Sequence, residues 1–306
     1  MSRGFRKLNP IAHAVFAPVR FMMGRLFPLA LVRWQYRYIT HHRLDLKHPR
    51  RYTEKLQHLR LFVYPRDPLV IRCAGRIGVR SYLQELGLDR YLIPTYGVYD
   101  SFDDIDFGTL PRQFALKCAH ACAYNAIVTD KETFDRDKWR CQFRKWLRTD
   151  YGQTTIERHY SRVKPQIIAE RYLGRDGILP TEYKIHVYNG KARNLYVVTG
   201  RGSDIRYTNF YIDWTPFDGS QFNNWRKADV SIERPANFDE MVALAEKLAA
   251  PFPFVRVDLY NIDGKIFFSE MTFTPAKGTL ILDDDQVDYE MGAWLDISKY
   301  TDRSAR

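Results

Sequence analysis

The stretch FDEMVALAEKLAA, residues 238–250, repeats its apolar positions at helical period. Asn237 is the expected N-cap, Asp239 and Glu240 suit the first turn, and Pro251 stops the helix. Further helices are predicted over 53–61, stopped by Pro65, over 79–86, ending at Gly87, and over 134–147, with Phe134, Trp139, Phe143 and Trp146 on the apolar side. Short apolar runs near Pro or Gly predict strands over 91–99, 114–118 and 166–173. Two hairpins follow. Strands 183–188 and 192–199 flank Asn189-Gly190, and strands 254–260 and 265–270 flank Asp263-Gly264; both dipeptides are type I′ turn signals. The pattern is α/β (α+β) with antiparallel hairpins, not regular βαβ alternation. Neither Gly-x-Gly-x-x-Gly nor Gly-x4-Gly-Lys-Ser/Thr occurs, so Rossmann and P-loop readings lack their motifs.

A chain of 306 residues has room for two or three subdomains, and a hydrophobic content of 45% excludes a disordered protein. Charge is uneven: residues 1–50 hold ten Lys/Arg and one acid, Asp45, which is nine of the net charge of +11. Basic residues gathered in one arm do not line a groove, so nucleic acid is not an expected partner. Residues 1–44 are also apolar, but the longest run free of polar residues, Leu26 to Val32, is far short of the ~20 residues of a membrane span. The arm lacks a secretory cleavage pattern. Peripheral contact with an anionic membrane and packing against protein both remain open. Four cysteines make no disulfide framework and fit a reducing cytoplasm, with the inner membrane face as a further expectation.

Candidate chemistry centres on the second hairpin. Arg256 and Asp258 are two apart on a strand and share a face. A regular two-residue hairpin sets Asp258 opposite Ser269 and turns Glu270 to the other side. A bulge or a three-residue turn shifts the register by one and brings the two acids together, and that shift is part of the expectation. Two facing carboxylates in a half-buried sheet repel unless a cation joins them, and hard oxygen ligands suit Mg²⁺ bridging nucleotide phosphates. Arg256 could hold a phosphate or a developing oxyanion. An ordinary surface hairpin with ion pairs is the rival, opposed by the apolar neighbours Phe254, Val255, Val257, Ile266 and Phe267. Lys117 ends a buried strand, where its ammonium meets either a phosphate or solvent. Cys118, His120 and Cys122 have no fourth zinc ligand nearby; His120 and His186 are expected to be packed or hydrogen-bonded.

The hairpin resembles the metal-binding strand pair of ATP-grasp enzymes such as D-alanine–D-alanine ligase: Arg256-Val257-Asp258, an Asp-Gly turn, then Glu270-Met271-Thr272 with Thr in place of the usual Asn. More widely, TEKLQHLRL (53–61), YGVYDSFDDIDF (96–107), LPRQFALKCAH (110–120), IIAERYL (167–173), EYKIHVYNGK (182–191), RVDLY (256–260) and SEMTFTPAKG (269–278) resemble the TupA-like ATP-grasp family, linked to bacterial cell-surface polysaccharide and teichuronopeptide synthesis. The basic, apolar arm over 1–44 precedes the resemblance, which covers about residues 45–300 and implies an N-terminal region over 45–111, a small ATP-grasp subdomain over 112–174 and a large one over 175–306. The resemblance also implies ATP and Mg²⁺ as cofactors and a carboxylate–amine ligase working through an acyl-phosphate. Its substrates would be a carboxylate-bearing glycan or lipid-linked precursor and an amine or amino acid. Asp258, Glu270 and Thr272 would hold metal, Lys117 and Lys184 phosphates, Glu170 with Arg171, Tyr172 and Leu173 the adenine, and Arg256 the intermediate. Glu170 paired with Arg171 or Arg175, and Lys184 simply solvated, are the plainer alternatives. Two departures stand out: the phosphate loop reads His120-Ala-Cys122-Ala-Tyr-Asn125 where glycine and serine are usual, and Gly75-Arg76 replaces an Asp-Lys pair. A glycosyltransferase on capsular or surface glycan, with Asp283-Asp284-Asp285 as its metal motif, and a non-catalytic ATP-grasp binding protein are the rivals.

Overall fold

The computed structural model describes residues 17–175, 177–217, 226–228, 231–282 and 284–301; residues 1–16 of the basic arm and Asp283 lie outside them. Helices α1 (Ala17–Leu26) and α2 (Pro28–Thr40) lead to α3 (Tyr52–His58), which continues as a π turn, Leu59–Val63. Then come α4 (Pro68–Ala74), α5 (Gly78–Glu85), β1 (Thr95–Tyr99), β2 (Phe114–Cys118), β3 (Asn125–Val128), α6 (Arg136–Leu147), α7 (Tyr151–Thr155) and β4 (Ile167–Arg171). The C-terminal part holds β5 (Glu182–Tyr188), β6 (Lys191–Thr199), β7 (Arg206–Tyr211), α8 (Phe238–Ala249), β8 (Phe254–Ile262), β9 (Lys265–Thr272), α9 (Asp285–Trp294) and α10 (Ser298–Thr301).

The strands form two antiparallel sheets, a small one in the order β1-β4-β2-β3 and a large one in the order β7-β6-β5-β8-β9. Strand alternation decides what each face of the large sheet meets. Ile185, Val187, Val255, Val257 and Leu259 join the main core with Phe238, Met241, Leu244 and Leu248 of α8. The intervening Glu182, Lys184, Arg256, Asp258 and Tyr260 are left to the other face. The small sheet packs Phe114, Leu116 and Ile167 against Phe102, Phe107 and Phe143 in a core of its own.

Both hairpins turn as type I′: φ is 46° and 81° at Asn189-Gly190 and 49° and 77° at Asp263-Gly264. Several expectations need correction. The strand expected over 91–99 begins only at Thr95, because Asp89–Tyr91 forms a short helical turn and Pro94 has no N–H for a ladder. β1 precedes the expected boundary at residue 112, yet it pairs with β4 inside the small sheet. Asn237 starts α8 without a side-chain cap; its amide donates to Gly264 O (2.8 Å) and its Oδ1 accepts from Asn261 (2.6 Å), tying α8 to the β8–β9 turn. Asp284 and Asp285, two of the three residues of the rival metal motif, belong instead to the start of α9. Asp284 caps α9 through Gln286 N at 2.8 Å, and Asp285 takes Arg51 at 2.8 and 2.9 Å.

α3 braces the end of β9. Glu54 accepts from the N–H groups of Arg50 (2.9 Å) and Arg51 (3.0 Å), closing its first turn. One turn on, Gln57 and Arg60 both donate to Lys277 O at 2.8 Å. That carbonyl lies in the Pro275–Gly278 turn, where Ala276 and Lys277 adopt left-handed backbone.

Candidate functional site

β8 and β9 pair regularly from Ile262↔Lys265 back to Leu259↔Phe268; the next pair is Asp258↔Glu270. Ser269 is therefore the extra residue of a bulge, and the bulge sets both acids on one face. On the other side of β8, Lys184 lies opposite Asp258. Lys184, Asp258 and Glu270 thus form a row across three strands. Arg256 opposes Thr272 and His186 in the next row.

These groups form a closed polar network. Arg256 holds both oxygens of Asp258, Nε to Oδ1 at 2.6 Å and an Nη to Oδ2 at 2.7 Å, and donates to Tyr196 Oη (2.8 Å) and Thr272 Oγ1 (3.0 Å). Lys184 donates to Asp258 and reaches Glu182 at 2.9 Å; Arg201 meets Glu182 at 3.0 Å. Glu270 pairs with Arg76 at 3.1 Å. Asp258 is fully shielded from solvent, which alone would raise its pKa, but Arg256 and Lys184 outweigh burial and hold it below the usual range. Burial likewise pushes Glu270 up, and Arg76, with help from Lys184 and Arg256, brings it below the usual value. Lys184 is raised despite burial because Asp258 and Glu182 face it. Both carboxylates are anionic at neutral pH.

The network floors a cleft of about 660 Å³ between the two sheets. Lys117, Ala115 and Asn125 of the small sheet face Lys184, Arg256 and Glu270 of the large one, and Arg171, Tyr172 and Leu173 line the strand exit between them. Arg76 and Arg201 add two more cations, so the walls carry six Lys/Arg against Glu182 and Glu270. A multiply charged anion fits such a surface. Cys122 also lines the cleft; burial pushes its thiol up to about 12, helped by Glu270 and Glu157, which disfavours the thiolate.

The structure brings together most of the residues singled out from sequence, with exceptions. Glu170 does not line the cleft. It takes Lys117 at 2.7 Å and Arg80 at 3.4 Å, not Arg171 or Arg175, so its carboxylate is engaged by cations before adenine could use it. Asp258 and Thr272 lie beneath the surface, covered by Arg256 and Lys184. His120 is buried against Trp146 O (3.1 Å) and His186 against Asn194 (3.2 Å), as packed histidines. Asp284 and Asp285 are committed to α9 and Arg51 and do not reach the cleft. Sequence reasoning passed over Glu182, Tyr196 and Arg201, and met Arg76 only as a departure from the family pattern, without a place in the site. The period-two spacing of Glu182 and Lys184 was a usable signal, whereas Arg76 arrives from a helix-connecting turn that no local pattern links to β9.

The resemblance read from the sequence implies a divalent ion, which could use Asp258 only if Arg256 and Lys184 gave up one of its oxygens, whereas Glu270 already borders the cleft. Among the described residues no three His, Cys, Asp or Glu side chains converge. Mg²⁺ is commonly held by one or two carboxylates plus substrate phosphates, and Asp258 and Glu270 supply two facing carboxylates with the Thr272 hydroxyl beside Glu270 at 3.4 Å. Phosphates would also offer Lys184 a new partner in place of Asp258.

A family model described as TupA-like ATPgrasp matches residues 54–296. No curated protein matches the chain. Among solved structures it is similar to D-alanine–D-alanine ligase from Bacillus anthracis complexed with ATP, at 14% identity and a TM-score of 0.44, over 77% of this chain and 67% of that one. It is also similar to D-alanine–D-alanine ligase from Helicobacter pylori, at 13% and 0.40, over 74% of this chain and 60% of that one. A third is the ATP-grasp ligase PsnB complexed with precursor peptide PsnA2 and AMPPNP, at 11% and 0.40, over 76% and 61%. With the match extending from α3 to the end of α9, the chain belongs to the TupA-like ATP-grasp family.

Proposed function

We propose that the protein is an ATP- and Mg²⁺-dependent carboxylate–amine ligase acting in cell-surface polysaccharide synthesis. The observation that carries the reading is the Lys184–Asp258–Glu270 row facing Lys117 across a cationic cleft. In this reading the triphosphate lies between Lys117 and Lys184, and Asp258 and Glu270, with Thr272 as a weaker donor, would hold Mg²⁺. The ion would supply charge neutralisation at the phosphates. Backbone of Arg171 to Leu173 takes the adenine, and Glu170 fixes the Lys117 ammonium by their 2.7 Å pair. A substrate carboxylate oxygen attacks the γ-phosphorus, the bond to ADP breaks, and an acyl-phosphate forms. An amine then attacks its carbonyl, phosphate leaves and the amine proton is released. Arg256 steadies the oxyanion of that step. The carboxylate belongs to a glycan or lipid-linked precursor, and the amine to an amino acid or similar donor.

Isothermal titration of ATP with Mg²⁺ is the direct test. Wild type binds, and Lys117→Ala binds at least tenfold more weakly, about 1.4 kcal/mol; absence of binding by both proteins defeats the proposal. A second reading, nucleotide binding without turnover, is favoured by Ala123, which holds φ of 63° in the loop where glycine is usual. Release of ADP with any carboxylate-plus-amine pair decides for the ligase.

A further inference from the structure

Among the described residues, α1 and α2 are fastened to the body on one side. Leu31 and Val32 pack with Ile156, and buried Tyr36 hydrogen-bonds Thr53 Oγ1 at 2.7 Å. The outward side carries Phe21, Met22, Leu26, Phe27, Trp34 and Tyr38, each at least 42% exposed. Trp34 stacks on Tyr38 at 5.5 Å. On α2, Arg33, Trp34, Arg37 and Tyr38 fall at helical spacing on one exposed stripe, and Arg25 is exposed on α1. Residues 1–44 contain no Asp or Glu.

This surface is apolar, aromatic and uniformly cationic, which narrows its occupant. A second copy docked by symmetry would bring the same arginines face to face with no acid between them. An anionic lipid surface meets both needs: the acyl boundary takes Phe27 and Leu26, Trp and Tyr favour the headgroup level, and arginine pairs with phosphate. Among the described residues no helix is long and apolar enough to cross a membrane, so the pair would lie on it.

We propose that α1 and α2 form an in-plane dock for an anionic phospholipid bilayer, independent of the chemistry in the cleft. The full chain is mixed with vesicles of phosphatidylcholine alone or with added phosphatidylglycerol, and bound protein is measured by co-sedimentation. The expected result is selective binding to the anionic vesicles, reversed by salt. Removing two basic residues, Arg33→Gln with Arg37→Gln, weakens it roughly 30-fold, at about 1 kcal/mol per basic residue. Trp34→Ser weakens it as well, with the thermal melt and ATP titration unchanged. Should Trp34→Ser fail to fold, release of wild type by salt carries the test. No binding, or equal binding to neutral and anionic vesicles, overturns the proposal. So does self-association in solution that Trp34→Ser abolishes while vesicle binding persists.

Discussion

Asp258 has no contact with solvent, and its charge survives because Arg256 grips both oxygens while Lys184 approaches from β5. Breaking such a pair leaves an uncompensated buried charge, which costs far more than the intact pair contributes. Arg256→Met therefore lowers stability by about 3 kcal/mol in denaturant unfolding, with Lys184 the remaining partner. A loss under 1 kcal/mol would mean that Lys184 and solvent suffice for Asp258. Ala123 poses the opposite case. Its left-handed backbone strains a side chain that glycine lacks. Ala123→Gly should raise stability by about 0.5 kcal/mol once the freer unfolded chain is counted. Titration calorimetry of the same variant should show ATP bound no more weakly; weaker binding would mean that the alanine methyl contributes to the site.

At the scale of elements, the decisive feature is one extra residue. Ser269 interrupts an otherwise regular β8–β9 ladder and moves Glu270 from the core face to the face of Asp258. Hydrophobic alternation on β9 hinted at it, since Phe267 and Phe268 are adjacent and both buried, which an unbroken strand with one wet face does not accommodate. The hairpin turns were legible because Asn-Gly and Asp-Gly adopt positive φ at little cost. β3 and β7 were not, because one is only four residues long and the other half-exposed along most of its length, so neither carries a clear alternation, although each pairs with the strand just before it. Asn237 shows a further limit. Its position as the first residue before α8 was readable, but the preference of its amide for Gly264 O and Asn261 depends on the hairpin folding over it.

Across the whole molecule, the N-terminal helices and the C-terminal helix are stitched together by buried polar groups. Asp288 of α9 accepts from Thr53 N (2.9 Å) and Thr53 Oγ1 (2.6 Å) on α3. Burial raises its pKa from 3.8 to about 6, with the Thr53 hydrogen bonds opposing. A folded-state pKa above the unfolded one adds stability that is complete below pH 3.8 and is lost as pH rises through about 6. Asp288→Asn keeps the shape and removes the titration. Thermal melts should show wild type losing on the order of 2 kcal/mol between pH 4 and 7 relative to the variant. Parallel pH profiles for the two proteins would exclude Asp288 as the source.

By itself the sequence determined the local elements whose cause is local: helix periods, type I′ turns, and the Arg256-x-Asp258 strand with its companion Glu270. It also carried the family resemblance, because spaced blocks survive in linear order. Tertiary structure decided which groups meet. Arg76 reaches Glu270 across more than 190 residues of chain, Lys184 comes to Asp258 from another hairpin, and Glu170 turns to Lys117 and Arg80. Those encounters depend on sheet order and on a single bulge, and a charge buried between strands takes whichever partners the fold delivers.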